Sequence, residues 1–168
     1  IYEGIVKAII QQQISLRVAE TLTANLVEGY GERVEFLGEY AYDFPSPERL
    51  VGLDVEELRR CGLSLRKAEY IKEFSSRVVE GFDPEELRGK DPSEIMETLT
   101  SFRGIGRWTA ELVMIASMGL NVIPADDLGV RRAISHFYFK DELQPPEVVR
   151  RFAEERFGRF MKDILVYL

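Results

Sequence analysis

Two stretches carry residues whose types and spacing could do chemistry. The first is FRGIGRWTA, residues 102–110, and the second is NVIPADDLGVRRAISHFY, which begins at Asn121. In the first, Gly104 and Gly106 permit positive φ and close backbone approach, and Ile105 can fill the angle between two helices. The helix that opens at Gly106 and Arg107 begins with NH groups that lack intrahelical acceptors, and its dipole makes that end a site for an anion such as a phosphate diester. The plainer alternative is a helical hairpin whose glycines serve only the turn. In the second stretch, Asp126 or Asp127 caps a helix beginning at Leu128. One carboxylate suffices for a cap, so its neighbour is either a complement to the helix dipole or a group that projects into a cleft.

Composition limits what these residues can be part of. The chain has 168 residues, 45% of them hydrophobic, enough to bury one good core or two small lobes. One cysteine, Cys61, excludes a disulfide framework, a cysteine-ligated zinc site or an iron–sulfur cluster built from this sequence, and is expected to be a small buried residue. One histidine, His136, leaves too few parts for a histidine metal site or triad, so catalysis must rest on carboxylates, hydroxyls or lysines. A net charge of −7 argues against holding nucleic acid by bulk charge, but not against a few local contacts. No apolar run approaches the roughly 18 residues of a membrane span, and IYEGIVKAII lacks the marks of a signal peptide. The opening without Met and the ending FMKDILVYL suggest a piece of a longer chain.

Apolar spacing at three and four predicts an all-α fold with no strand alternation. Helices are expected over 2–12, 16–29, 47–52, 54–60, 65–80, 92–100, 107–118, 128–138, 146–157 and 159–168. Ser46 and Ser64 are in place as N-caps, and Asp91 before PSEIMETL sets up an approximate capping box with Glu94. The simplest arrangement is a single compact domain, 1–168, with a cleft between a central helical group and a lobe that includes the chain ends. Between PSEIMETLTS and GRWTAELVMIASMG, the FRGIG connection is very tight.

The spacing L-x-x-x-x-G-I-G, Leu99 to Gly106, looks like a helix-hairpin-helix motif. Followed by P-x-D-D-L-G-x-R-R, it resembles the helix-hairpin-helix superfamily of DNA base-excision glycosylases, in particular the alkylbase branch of 3-methyladenine DNA glycosylase II type. The resemblance covers almost the whole sequence: AIIQQQIS with LRVAETLTANL, then FPSPERL and CGLSLRKAEYI, match the family's earlier helices in order. It implies an all-α helix-hairpin-helix glycosylase fold. It also implies that a β-rich domain precedes this region and that segments are missing at both ends.

By motif position the resemblance makes Asp127 the catalytic carboxylate, with Asp126 left to cap or to orient the loop. It places Trp108 where the strand-cutting branch carries a Schiff-base lysine, so the implied enzyme is a monofunctional hydrolase of the N-glycosidic bond in damaged duplex DNA. Trp108 is then expected to stack on a flipped base, with Leu112 and Leu128 where some relatives place pocket tyrosines. Gly104, Gly106, Arg107 and Thr109 are assigned to the DNA backbone, and Gln12 and Gln13 to the wedge that fills the vacated stack, Gln13 in particular. The alternative for these glutamines is a simple cap on the first helix. No cofactor is required; the family's hairpin implies a structural Na or K ion on the backbone carbonyls of Thr100, Phe102 and Ile105. The expected partner is double-stranded DNA containing damaged bases, bound by a monomer without membrane contact in a prokaryotic or archaeal cytoplasm, at the nucleoid. The rival from another class is a noncatalytic helix-hairpin-helix DNA-binding module in which Asp127 is only a cap.

Overall fold

The computed structural model describes residues 1–165, with Phe36 described by its backbone only. The chain divides into two compact units. The first is Ile1–Gly89 with Ser101–Gly104, and the second is Lys90–Thr100 with Ile105–Leu168.

In the first unit, α1 (Tyr2–Gln11) and α2 (Leu16–Tyr30) pack together, followed by α3 (Pro47–Gly52), α4 (Val55–Arg60) and α5 (Leu65–Val79). A 3-10 turn, Pro84–Leu87, closes the unit's continuous segment. Helix α5 organises it, packing against α1, α3 and α4. Its buried residues Ala68, Ile71, Phe74 and Ser75 recur at helical spacing on one face. The starts obey local chemistry: Ser15, Ser46 and Ser64 each accept from a backbone NH three residues on, and Asp54 with Glu57 forms a reciprocal capping box. Lys72 of α5 donates to the Val51 carbonyl at 2.9 Å and to that of Leu53, tying off the exposed end of α3. Cys61 is buried at the end of α4, and burial raises its thiol pKa.

The expectation of no strands is corrected by a two-stranded antiparallel hairpin. Strand β1 (Arg33–Phe36) pairs with β2 (Glu39–Tyr42), with Arg33 opposite Tyr42 and Phe36 opposite Glu39. The turn passes through Leu37 and Gly38, at φ 53° and 83°, a pair of left-handed residues suited to a two-residue hairpin. Every residue of β2 is exposed, so that strand buries no side chain. The Arg33 guanidinium lies 3.5 Å from the centroid of the Tyr40 ring, a cation–π contact across the hairpin.

The second unit contains α6 (Pro92–Thr100), α7 (Arg107–Met118), α8 (Leu128–Tyr138) and α9 (Pro146–Phe157). Ile123, Ala125, Ile134, Val149 and Ala153 form its buried cluster, with Phe139, Phe152 and Phe157 packed against it. Gly119, at φ 66°, ends α7 as its NH reaches Ile115 and that of Leu120 reaches Met114, a Schellman-type closure. The helix expected over 159–168 is shorter: Gly158–Phe160 is a 3-10 turn, α10 covers Met161–Ile164, and 166–168 lie outside the described residues.

The hairpin turn itself, Ser101–Gly104, is held by α5. Phe102 meets Phe74 edge-on at 5.1 Å between centroids, and Arg103 pairs with Glu69 and Glu73. Gly104 sits at φ 85°, and a Cβ there would overlap the Tyr70 ring. Both the backbone conformation and the space therefore demand glycine. Gly104→Ala is expected to destabilise the fold by roughly 2–4 kcal/mol, from the left-handed penalty plus displacement of Tyr70. A urea titration giving the same midpoint as the wild type would show that the turn relaxes freely.

Candidate active site and backbone-binding hairpin

The start of α7 and the PADD turn meet in the second unit through two side chains. Trp108, in the first turn of α7, donates its Nε1–H to Asp127 Oδ2 at 3.0 Å. Asp127 Oδ1 accepts from the backbone NH of Val130 at 3.0 Å, which makes Asp127 the N-cap of α8. Both side chains are half-buried. Each carboxylate oxygen thus keeps one lone pair for a further donor or a developing positive charge. The cap and the bond to Trp108 fix the carboxylate from both sides, so its remaining lone pairs point in a set direction.

This arrangement corrects the reading of Asp126 as the cap. Asp126 instead pairs with Arg150 at 2.9 Å and lies 4.0 Å from Arg107. The two neighbouring carboxylates have separate duties, because Arg150 approaches from α9 and takes only the first. The choice depends on a residue far away in sequence, so the local pattern leaves it open.

Glu111, one turn along α7, is a site residue that the sequence reading misses. It is buried, 3% exposed, and its Oε1 accepts from Arg107 Nε at 3.1 Å and Arg150 Nη2 at 3.0 Å. Its Oε2 is buried with no hydrogen-bond partner. Burial raises its pKa, opposed by the charge of Arg150 and the bond from Arg107. A charged residue inside an apolar helix face is the sequence signal that could have flagged it. Arg107, Glu111 and Arg150 line a cavity of about 560 Å³ that also takes in Met114, Ile123 and Met161; Trp108 and Asp127 do not line it.

The remaining expected residues fall on both sides of the turn. Ile105 is buried, and Gly106 is the N-cap of α7, at φ −90° with no side-chain cap. Positive φ therefore applies to Gly104 alone. A Cβ at Gly106 would meet nothing within 4 Å, so the protein's own packing does not demand glycine there. Arg107 is exposed, whereas Thr109 is buried, 2% exposed. Burial takes the Thr109 side chain away from solvent, so a role at DNA would fall to its backbone. Leu112 is half-buried and Leu128 exposed.

In the first unit, Gln12 is the C-cap residue of α1, and its Nε2 donates to the Gly104 carbonyl at 2.7 Å. It braces the hairpin turn from the end of α1. Gln13 is exposed and held at φ 58°, a left-handed conformation uncommon for a residue with a side chain. Nearby, Lys67 Nζ donates to the Ile10 carbonyl at 2.7 Å, with its pKa lowered by burial. Lys67 is therefore engaged with the end of α1. Among the described residues there is no group of three or more His, Cys, Asp or Glu side chains arranged to hold a metal ion, and no helix long and apolar enough to cross a membrane.

The chain is similar to several known proteins over most of its length. A solved 3-methyladenine DNA-glycosylase from Archaeoglobus fulgidus superposes with a TM-score of 0.88 at 54% identity, covering 99% of this chain and 56% of that one. The Schizosaccharomyces pombe 3-methyladenine DNA glycosylase Mag1, solved in complex with abasic DNA, gives a TM-score of 0.79 at 27% identity, over 99% of this chain and 81% of that one. The putative DNA-3-methyladenine glycosylase YfjP of Bacillus subtilis is 34% identical over 157 residues, 92% of this chain and 53% of its own length. This chain spans about half to two thirds of the curated relatives it matches first. Residues 6–159 match the family described as HhH-GPD superfamily base excision DNA repair protein. The helix-hairpin-helix glycosylase fold and the likeness to the alkylbase branch both hold, and the chain belongs to the HhH-GPD superfamily of base excision DNA repair proteins.

Proposed function

We propose that the protein is a monofunctional DNA glycosylase that hydrolyses the N-glycosidic bond of alkylated or otherwise damaged purines in duplex DNA. The observation that carries this reading is the Trp108–Asp127 hydrogen bond, which sets the motif's carboxylate beside its aromatic residue within one unit. Hydrolysis passes through a cation-like sugar, and a fixed carboxylate beside C1′ stabilises that charge or orients and deprotonates water. A base alkylated on a ring nitrogen already carries positive charge and leaves readily, so one carboxylate is enough. Trp108 supplies an aromatic face for the flipped base, and Leu112 and Leu128 extend the pocket's apolar lining.

The DNA backbone is assigned to the NH groups at the start of α7, from Gly106 and Arg107 through Thr109, with Gly104 shaping the approach. The open space beside Gly106 supports this, since it leaves room for a phosphate. Gln13, exposed and left-handed, is the wedge, and Gln12 positions the turn behind it. The carbonyls of Thr100, Phe102 and Ile105 are the proposed oxygen ligands for a Na or K ion. Thr100 ends α6, where the last carbonyls lack intrahelical donors, and hard oxygen donors suit such a cation. The protein acts as a monomer and needs no cofactor for the hydrolysis.

A second reading, a noncatalytic DNA-binding module, is favoured by one observation: Asp127 caps its own helix. Paired substitutions separate the two. Asparagine keeps the cap through its amide oxygen but turns an NH2 donor toward the Trp108 N–H, so Asp127→Asn should abolish release of alkylated bases at a stability cost of about 1 kcal/mol, with binding to abasic-site DNA kept. Asp127→Ala should lose activity and also about 1–2 kcal/mol of stability. Chromatography of released bases is the measurement, and an Asn variant as active as the wild type would leave only the module.

The absence of a lysine at position 108 generates a further expectation. Borohydride treatment during turnover on damaged duplex DNA should trap no covalent adduct, because water and not an amine attacks the sugar. A trapped complex would make the enzyme a lyase as well. Binding should also rest on few phosphates, with a slope of log K against log salt corresponding to about two to four ions. A slope several times steeper would require a basic surface this acidic chain does not suggest.

A further inference from the structure

The geometry points to Arg150 as a positioning residue that sets the Trp108–Asp127 pair by bridging Asp126 and Glu111. The inference rests on the proposed glycosylase reading for its catalytic consequence, but its structural part stands on distances alone. A single atom, Arg150 Nη2, lies 3.0 Å from Glu111 Oε1 and 2.9 Å from Asp126 Oδ2. Glu111 belongs to α7, which carries Trp108, and Asp126 is the residue next to Asp127. Arg150 therefore ties together, one step away, the same two elements that the indole–carboxylate bond joins.

Three features separate this from incidental surface pairing. One arm of the bridge is shielded, with Arg150 20% and Glu111 3% exposed at their side chains, while the Asp126 arm, at 38%, reaches the surface. Helix α9 already has an apolar anchor in Val149 and Ala153, both fully buried, so it does not need Arg150 to dock. The cluster also holds Glu111 Oε2 buried and unpartnered, an arrangement with a desolvation penalty that an apolar side chain would avoid. The four charges, Arg107, Arg150, Glu111 and Asp126, balance, so the cluster fixes direction without biasing the local field toward one sign. With Asp126 held by Arg150, only Asp127 is left to cap α8 and receive the indole NH. Arg150 thereby keeps the two carboxylates from exchanging roles.

The test uses the intact protein and three readouts. Arg150→Met should slow single-turnover base excision roughly ten- to hundredfold, as expected when a reacting group is misplaced by a fraction of an ångström to an ångström. Affinity for abasic-site DNA should stay within about twofold, since ground-state binding does not use the pair. The Nε1–H resonance of Trp108, assigned by its loss in Trp108→Phe, should shift in Arg150→Met. Arg150→Lys, which returns one nitrogen to the bridging point, should restore much of the rate and the resonance. If Arg150→Met proves too unstable to study, Asp126→Asn removes one arm of the bridge and should shift the same resonance. An unchanged resonance and rate in a folded variant overturn the proposal. Wild-type protein that excises nothing would defeat the glycosylase reading instead, and the resonance would still decide whether Arg150 sets the pair.

Discussion

One carboxylate carries the second unit's arrangement. Asp127 accepts from its own helix through one oxygen and from Trp108 through the other, so the start of α8 and the start of α7 are registered against each other by a single side chain. A cap alone would leave the carboxylate able to rotate about the helix end. A bond to the indole alone would leave α8 without its terminator. Together they hold a half-buried negative charge in one orientation, and electrostatic stabilisation of a cationic transition state needs that preorganisation.

The hairpin is served by a division of labour between side chains and backbone. The Phe102 ring, the Arg103 ion pairs and the Gln12 amide hold the turn against α5 and the end of α1. The start of α7, by contrast, is bare: a helix N-terminus with a glycine cap and no capping side chain. Such backbone donors present partial positive charge locally in a protein of net charge −7, without adding to the whole.

The parts legible in the sequence are those decided by neighbours in the chain. Ser46 and Ser64 cap helices because a hydroxyl three residues before an unsatisfied NH needs no tertiary help. The bounds of α7, α8 and α9 are set likewise by Gly106, Gly119, Asp127 and Pro146. The features that escape a sequence reading are decided at a distance or leave no periodic mark. Each strand of the pair at 33–42 has four residues, the shortest run over which alternation can be read, and β2 buries none of its side chains. The separate duties of Asp126 and Asp127 are fixed by Arg150, on a helix two elements beyond α7, and the burial of Glu111 involves the same residue. Gln13 can be named from the family's motif, but its left-handed backbone belongs to the way α1 ends and α2 begins, and no residue type signals it.

The two hairpin glycines answer to different judges. Gly104 is required by the chain's own folding, since its torsion and the Tyr70 ring leave no room for a side chain. Gly106 has ordinary torsions and open space around it, so within this protein nothing physical excludes a larger residue. Any constraint on it has to come from whatever approaches the helix end from outside. Purifying selection would then act on position 104 in every cell that makes the protein, but on position 106 only while that end of the helix is in use. A lineage that retained the fold after losing that use would keep the first glycine and let the second drift.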